Sequence, residues 1–436
     1  MSSHQFFDHL FYFFNKEEKS NSCEGISEEA CEEVPRNYLL LILSNMFTKL
    51  AGTLSNPKTV LTWLMSYVNA PVYLISFIVP IRESGSMLPQ IILSSFIQKK
   101  AIRKWVWVMG SVCQFMAIAG IGLVSIFFDG VEAGWLIVSL LVVFSVSRAL
   151  CSISSKDVYG KAIPKSIRGT LKGYITSISG ILILAAGLYI FYKPSSEADI
   201  GFYSSIIFFA SALWLIAAIF YANIKEFPGV TISNESGVKD SFSKLSLLKK
   251  DTVFRNFIIA RSLLLCTALS APFYILLAQK YLGKESSLLG LFVIVNGLAS
   301  IISAPFWGKL SDKYSHKVMA FAALIASSLG LVVFLVVNYA PSLNQNYWFY
   351  PAVLFILGIA HSGARLGRKT YVINIARGNK RTDYVSVGNT LIGFILLITG
   401  GITALVSHFS LDIIIVFLSV LGALGAFISF RLPKVN

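Results

Sequence analysis

Apolar runs of about twenty residues, following one another almost without charge, limit what this chain can fold into. A run that long crosses the roughly 30 Å of bilayer hydrocarbon as a helix, where every backbone donor and acceptor is satisfied within the segment. Hydrophobic residues make up 55% of the 436 and charged residues only 14%. A soluble core has no place for so many such runs. The expected fold class is therefore an all-α polytopic membrane protein with twelve transmembrane helices. The net charge of +15 would suggest a nucleic-acid partner in a soluble protein. Here it follows from topology, and no nucleic-acid partner is expected.

The N-terminus has neither a basic start nor a small-residue cleavage site, so it does not read as a signal peptide. Phe6, Phe7, Leu10, Phe11, Phe13 and Phe14 suit a helix on the membrane surface or a disordered tail. Residues 16–33 are acidic and polar, a solvated linker. Residues 38–50 are apolar but too short to span, which predicts an interfacial or packed cytoplasmic helix ending near Asn56-Pro57-Lys58. Residues 1–57 are thus expected to be a cytoplasmic tail. Residues 58–223 form a first six-helix bundle, 224–252 a cytoplasmic linker and 253–436 a second bundle. In this reading the first span is 59–80, a tight turn covers 81–85, and the second span ends near Gln98. Alternate loops hold nearly all the lysine and arginine, among them Lys99, Lys100, Arg103, Lys104, Lys156, Lys161, Lys165, Arg168 and Lys172. The positive-inside rule then puts both termini in the cytoplasm. The five cysteines show no metal-ligand spacing, and no disulfide is expected for Cys23 and Cys31 in a cytoplasmic tail.

The two halves also match in sequence. Ala70-Pro71-Val72-Tyr73 mirrors Ala271-Pro272-Phe273-Tyr274, and Tyr159, Ile163, Arg168 and Thr170 align with Tyr371, Ile375, Lys380 and Thr382. Arg103-Lys104 aligns with His316-Lys317 at nearly the same offset. Two pseudo-symmetric six-helix bundles about a long linker are the plan of a secondary transporter. Between the eighth and ninth runs lies a short charged stretch, Gly308 to Lys317, with the spacing Gly308-x-x-x-Asp312-Lys313 and a basic residue, Lys317, four positions on. That spacing resembles the cytoplasmic loop signature of the major facilitator superfamily. The resemblance covers residue 59 to the C-terminus, with departures in the first half, where Ser95 stands for the glycine and Lys99 for the aspartate. Span five lacks the Gly-Pro pattern of the antiporters and has Gly173, Gly180 and Gly187 instead. Pro80 to Gln90 resembles a signature of one bacterial branch. The resemblance implies alternating access by rocking bundles, spans one, four, seven and ten lining a central cavity, and a bacterial inner membrane.

Polar side chains inside a bilayer are costly, so they face a cavity or a partner. Asn69, Arg148, Arg261 and His361 fall in the expected spans one, four, seven and ten. Arg148 and Arg261 suit an anionic group on the solute, against a structural role for Arg148 and snorkelling for Arg261. Gln90, Asn296 and Asn389 can bond a polar solute or a neighbouring helix. Tyr73 and Tyr274 are candidate contacts from opposite sides, or packing aromatics. His361 titrates near working pH and is a proton-carrier candidate, with a packing histidine as the alternative. Glu83, read at the outer end of span two, is the second proton candidate, unless it merely pairs with Arg82 to fix the turn. By resemblance, Gly308, Asp312, Lys313, Lys317, Arg365 and Arg368 form a cytoplasmic gate. No nucleophile–base pair, metal cluster or cofactor motif is present, so an enzyme is not expected.

The function this implies is secondary transport of a small polar solute, anionic if the arginines bind it, with proton coupling or facilitated diffusion both open. The partners are solute, protons and lipid, and the chain is expected to act as a monomer. The alternative is a transport-inactive receptor or scaffold on the same fold that docks partners through its acidic, aromatic N-terminal tail.

Overall fold

A computed structural model describes residues 26–434 except 165, 195–197, 230, 232–245, 376–380 and 408. The expectations for the aromatic N-terminal segment lie outside the described residues. All regular structure among the described residues is helical. Among the described residues, ten helices are long and apolar enough to cross a membrane. Spans three to six are Lys104–Phe127, Gly130–Ala162, Arg168–Phe191 and Ile200–Ala222. Span seven is Thr252–Leu269 followed by Ala271–Leu282, and spans ten to twelve are Phe349–Ile375, Arg381–Val406 and Leu411–Phe430. Asp199, Asp251 and Ser410 cap spans six, seven and twelve, accepting the amides of Phe202, Phe254 and Ile413.

Spans one and two differ from the reading above. Val34–Leu54 is not an interfacial helix. It packs against spans five and six, with Tyr38, Leu41 and Ala51 fully buried. The chain then breaks over residues 55–59 and continues as Val60–Tyr67, so the two pieces form span one. Pro57 causes the break. It lacks a donor and clashes with a continuing helix, and the Thr62 hydroxyl donates to its carbonyl oxygen at 2.5 Å. Span two is Val72–Met87 plus Gln90–Gln98, broken at Leu88-Pro89. With these two broken pairs the ten spans become twelve. The boundary read at residue 57/58 therefore falls inside span one, and Ile81–Gly85 is mid-helix rather than a turn.

The charged stretch Gly308–Lys317 holds the kink between spans eight and nine: within Ser286–Tyr339 two helices meet at Tyr314 (φ −142°, ψ 54°). One further expectation changes. Cys31 is disulfide-bonded, against the expectation for this segment, whereas Cys113, Cys151 and Cys266 are free. The expectation rested on redox compartment, and bond geometry is independent of that.

The hydrophobic core shows how the bundles stand. On the face away from the termini, one continuous cluster joins both bundles, with Trp63, Ile118 and Trp214 on one side and Leu277, Phe292 and Leu418 on the other. Towards the face that carries the termini it splits. Tyr38, Trp107, Val158 and Tyr221 belong to the first bundle alone, and Phe254, Met319, Tyr371 and Val387 to the second alone. Contacts on the far face seal the bundles together. Trp63 meets Phe292 edge-on at 6.2 Å, Lys284 Nζ donates to the Ser66 carbonyl oxygen, and the Ser286 hydroxyl donates to that of Lys193 at 2.6 Å.

The glycine spacing in span five explains the seam with span eight. A Cβ on Gly187 would lie 2.7 Å from Ile294, and one on Gly180 would lie 3.2 Å from Ile301. Opposite, a Cβ on Gly290 would sit 2.3 Å from the Phe191 backbone nitrogen, closer than any side chain allows. One repeat further along, Gly173 and Gly308 each meet nothing within 4 Å. The seam is shut at the far face and open at the terminal face.

Candidate functional site

The break in span one places a charged side chain where a continuous apolar helix would put none. Lys58, within the break, is half-buried and in electrostatic reach of Glu83 and Arg82 on span two and of Arg365 and Arg368 on span ten. Glu83 in turn lies within reach of Lys58, Arg148, Arg82 and Arg368. Arg82 is 7% exposed, and its guanidinium stacks 5.4 Å above the Phe144 ring of span four. Arg148, one turn further along span four, and Arg365 are exposed. Both are within reach of the buried cluster, so they face the opening between the bundles. Glu83 is thus in electrostatic reach of three cations from the first bundle and of Arg368 from the second, with Arg365 in reach of Lys58 and Arg368.

This corrects two points of the sequence reading. Glu83 is not at an outer turn. It lies halfway along span two, so the middle of the fold does contain a carboxylate. Asn69 is not in a span. It is exposed in the turn after Tyr67, with φ +54°, where asparagine tolerates the left-handed region better than most residues. Lys58 takes the span-one position instead. Sequence reasoning missed it because Pro57 cut the hydropathy signal into two short runs. A signal was nevertheless present. Leu54-Ser55-Asn56-Pro57 repeats as Leu269-Ser270-Ala271-Pro272, at nearly the offset of Tyr159 and Tyr371. The pairing of Ala70-Pro71 with Ala271-Pro272 does not share that offset and joins the start of span two to the middle of span seven.

Other candidates are brought together differently. Arg261 on span seven is 7% exposed; its Nη2 donates to Asn389 Oδ1 on span eleven at 3.0 Å. The Asn389 amide donates across the bundle interface to Gln90 Oε1 on span two at 3.4 Å. Arg368 is also within reach of Arg261, so this chain adjoins the cationic cluster. His361 Nε2 is 3.0 Å from the Thr267 carbonyl oxygen of span seven, which ties spans ten and seven together. The Asn296 amide donates to the Phe292 carbonyl oxygen in its own helix at 2.8 Å and lies beside Gly358 of span ten. Tyr274 is fully buried against Gly330 of span nine, and Tyr73 packs on the large core on the far face. These two tyrosines do not face each other across a cavity.

The gate set is divided. Lys313 and Lys317 each reach the Tyr314 ring, at 5.4 and 5.3 Å. Ser311 donates to Thr370 of span ten at 3.1 Å, and Gly367 lies beside Ser315 and Met319. Arg365 and Arg368 belong to the central cluster instead. The Asp312 side chain lies outside the described residues. Beyond Arg365, Lys369 at the open end is within reach of Lys156 and Lys172 of the first bundle. No group of metal-ligating side chains occurs among the described residues.

Residues 264–436 match the family described as Major Facilitator Superfamily. No curated protein matches the sequence. Solved structures share the fold over most of the chain at low identity. A POT family transporter in complex with a thioalcohol-conjugated peptide is 12% identical, covering 92% of this chain and 97% of its own, with a TM-score of 0.71. A D-xylose–proton symporter is 14% identical, covering 91% and 97%, with a TM-score of 0.68. The nucleoside transporter NupG, as its D323A mutant, is 12% identical, covering 91% and 100%, with a TM-score of 0.67. Residues 264–436 of this multi-pass membrane protein are thus similar in sequence to the major facilitator superfamily, and the chain as a whole shares its fold with the solved transporters.

Proposed function

We propose that the protein is a secondary transporter that moves a small anionic solute by alternating access of its two bundles. The observation that carries this reading is the cluster of Lys58, Arg82, Arg148 and Arg368 about Glu83, with Arg365 beside Lys58 and Arg368, drawn from both bundles. An arginine at the bilayer centre costs about 2.5–3.5 kcal/mol on insertion scales, and several together repel one another. An anion held between the bundles relieves that repulsion and engages both halves at once. A ligand contacting both bundles favours whichever state brings them together around it, which is the differential affinity alternating access requires.

Glu83 is the proton-coupling candidate of this reading. A carboxylate among cations competes with the solute for them when ionised and frees them when protonated, so proton entry and anion entry favour each other. The excess of lysine and arginine on the terminal face supports cytoplasmic termini by the positive-inside rule, and the family resemblance supports a bacterial inner membrane. The structure then corresponds to an inward-open state. Asp312, Lys313 and Lys317 stay in the proposal as parts of the cytoplasmic closure.

A thermal-shift panel of small metabolites on the purified full chain tests the reading. Anions are expected to raise the Tm of the wild type, and Arg148→Ala, at an exposed position, is expected to weaken that response roughly tenfold or more in ligand concentration. Stabilisation by neutral solutes alone, or by anions with no effect of Arg148→Ala, would remove the anion reading.

A further inference from the structure

We infer that the solute carries a compact doubly charged group, a phosphoryl group, rather than a single carboxylate; this rests on the anion-transport reading above. Three observations lead there. First, the charges are unequal: Lys58, Arg82, Arg148 and Arg368 share one carboxylate, Glu83, and Arg365 stands in reach of Lys58 and Arg368 and adds a further positive charge. At an effective dielectric of about 20, two unit charges 4 Å apart interact by about 4 kcal/mol, so each uncompensated cation in such a cluster matters. A monoanion together with Glu83 still leaves most of the positive charge unmatched.

Second, donors wait without acceptors. Arg82 Nε and Arg261 Nε are buried and have no hydrogen-bond partner among the described residues. Buried guanidinium donors ordinarily find partners, and leaving one unpaired is costly. Arg82 belongs to the cluster itself, and Arg261 adjoins it through Arg368. Third, the cations approach from two sides, Lys58, Arg82 and Arg148 from one bundle and Arg365 and Arg368 from the other. A planar carboxylate offers two oxygens in one plane. A phosphoryl group offers three oxygens pointing in different directions and accepts arginine forks from both sides.

The approach to the site has the same sign. Lys156, Lys172 and Lys369 stand near one another at the open end, next to Arg365. A cleft lined by one charge raises the local concentration of the opposite ion and speeds its entry, an effect that salt suppresses.

A ligand ladder on the wild-type full chain, in nanodiscs of neutral lipid, tests this without relying on any variant. Methyl phosphate is a dianion near neutral pH, dimethyl phosphate a monoanion of similar shape, lactate a monocarboxylate and xylose neutral. By calorimetry at pH 7.5 and fixed ionic strength, methyl phosphate is expected to bind at least about tenfold more tightly than dimethyl phosphate or lactate, a difference of about 1.4 kcal/mol. In Lys58→Gln the gap is expected to shrink, with the Tm of the unliganded variant read alongside. Equal binding of methyl phosphate, dimethyl phosphate and lactate would overturn the dianion inference and leave the anion reading intact. Binding of xylose with no anion bound would overturn both. A short-chain phosphatidic acid serves as a further arm: binding of that lipid with no binding of methyl phosphate would assign the site to a headgroup and overturn the solute inference.

Discussion

At the scale of single residues, the middle of this protein is governed by charge, and its candidates separate by what they touch. Glu83 lies among cations in the centre and is the carboxylate through which a proton would act. Glu83→Gln should therefore strengthen anion binding, by removing the competing charge, and flatten the pH dependence of uptake, measured in proteoliposomes. An unchanged pH profile would rule out Glu83 as the coupling group. His361 is different. With its Nε2 bonded to the Thr267 carbonyl oxygen it ties two helices, so His361→Gln should cost roughly 1 kcal/mol of stability and leave the pH profile unchanged. The sequence revealed Arg148 and Arg261 as polar groups in apolar runs, because a guanidinium stands out against such a background, but it read Arg365 and Arg368 as a cytoplasmic gate. It hid Lys58 and misplaced Glu83, because a proline break looks like the end of a span when only hydropathy is read.

Among the elements, the spans with unbroken apolar runs were legible from their length, and the broken ones were not. Spans three to six and ten to twelve lie close to where the runs put them. Span one needs tertiary context, since Val34–Leu54 and Val60–Tyr67 join only across Pro57. The glycines of span five were legible as a pattern but not as a purpose. The structure shows that Gly180 and Gly187 meet Ile301 and Ile294, while Gly173 and Gly308 meet nothing. Continuing the same seam to the terminal face would bring Gly173 against Gly308 when the bundles close there. Gly173→Leu or Gly308→Leu should then hold the protein open at that face. Ligand binding from that side would persist while uptake falls roughly tenfold or more, and uptake at wild-type rate in both variants would contradict the closure. A second element-level device ties the linker to the first bundle. Glu226 accepts the backbone amides of Arg103 (2.9 Å) and Lys104 (2.6 Å) and pairs with Lys161 at 3.0 Å, so a carboxylate caps the start of span three. Because Glu226 is only 8% exposed, Glu226→Ala should destabilise the fold by roughly 3 kcal/mol, read as a lowered Tm.

For the whole molecule, the all-helical plan of twelve spans was readable because hydropathy and loop charge agree, although spans one and two were drawn in the wrong places. The state of the transporter was not. Which face is open depends on where the bundles touch, and the same residues serve both states. The undivided core on one face and the two separate cores on the other supply that information: the bundles part towards the terminal face. The account thus rests on one claim, the proposal that the cationic cluster between the bundles receives an anion and passes it between the two sides of the membrane. The most direct test is uptake of labelled anionic and neutral solutes into proteoliposomes containing the full chain, wild type beside the double variant Arg148→Ala/Arg368→Ala. The account predicts saturable uptake of an anion that falls at least about tenfold in the double variant; uptake of a neutral solute that the double replacement leaves undiminished would contradict it.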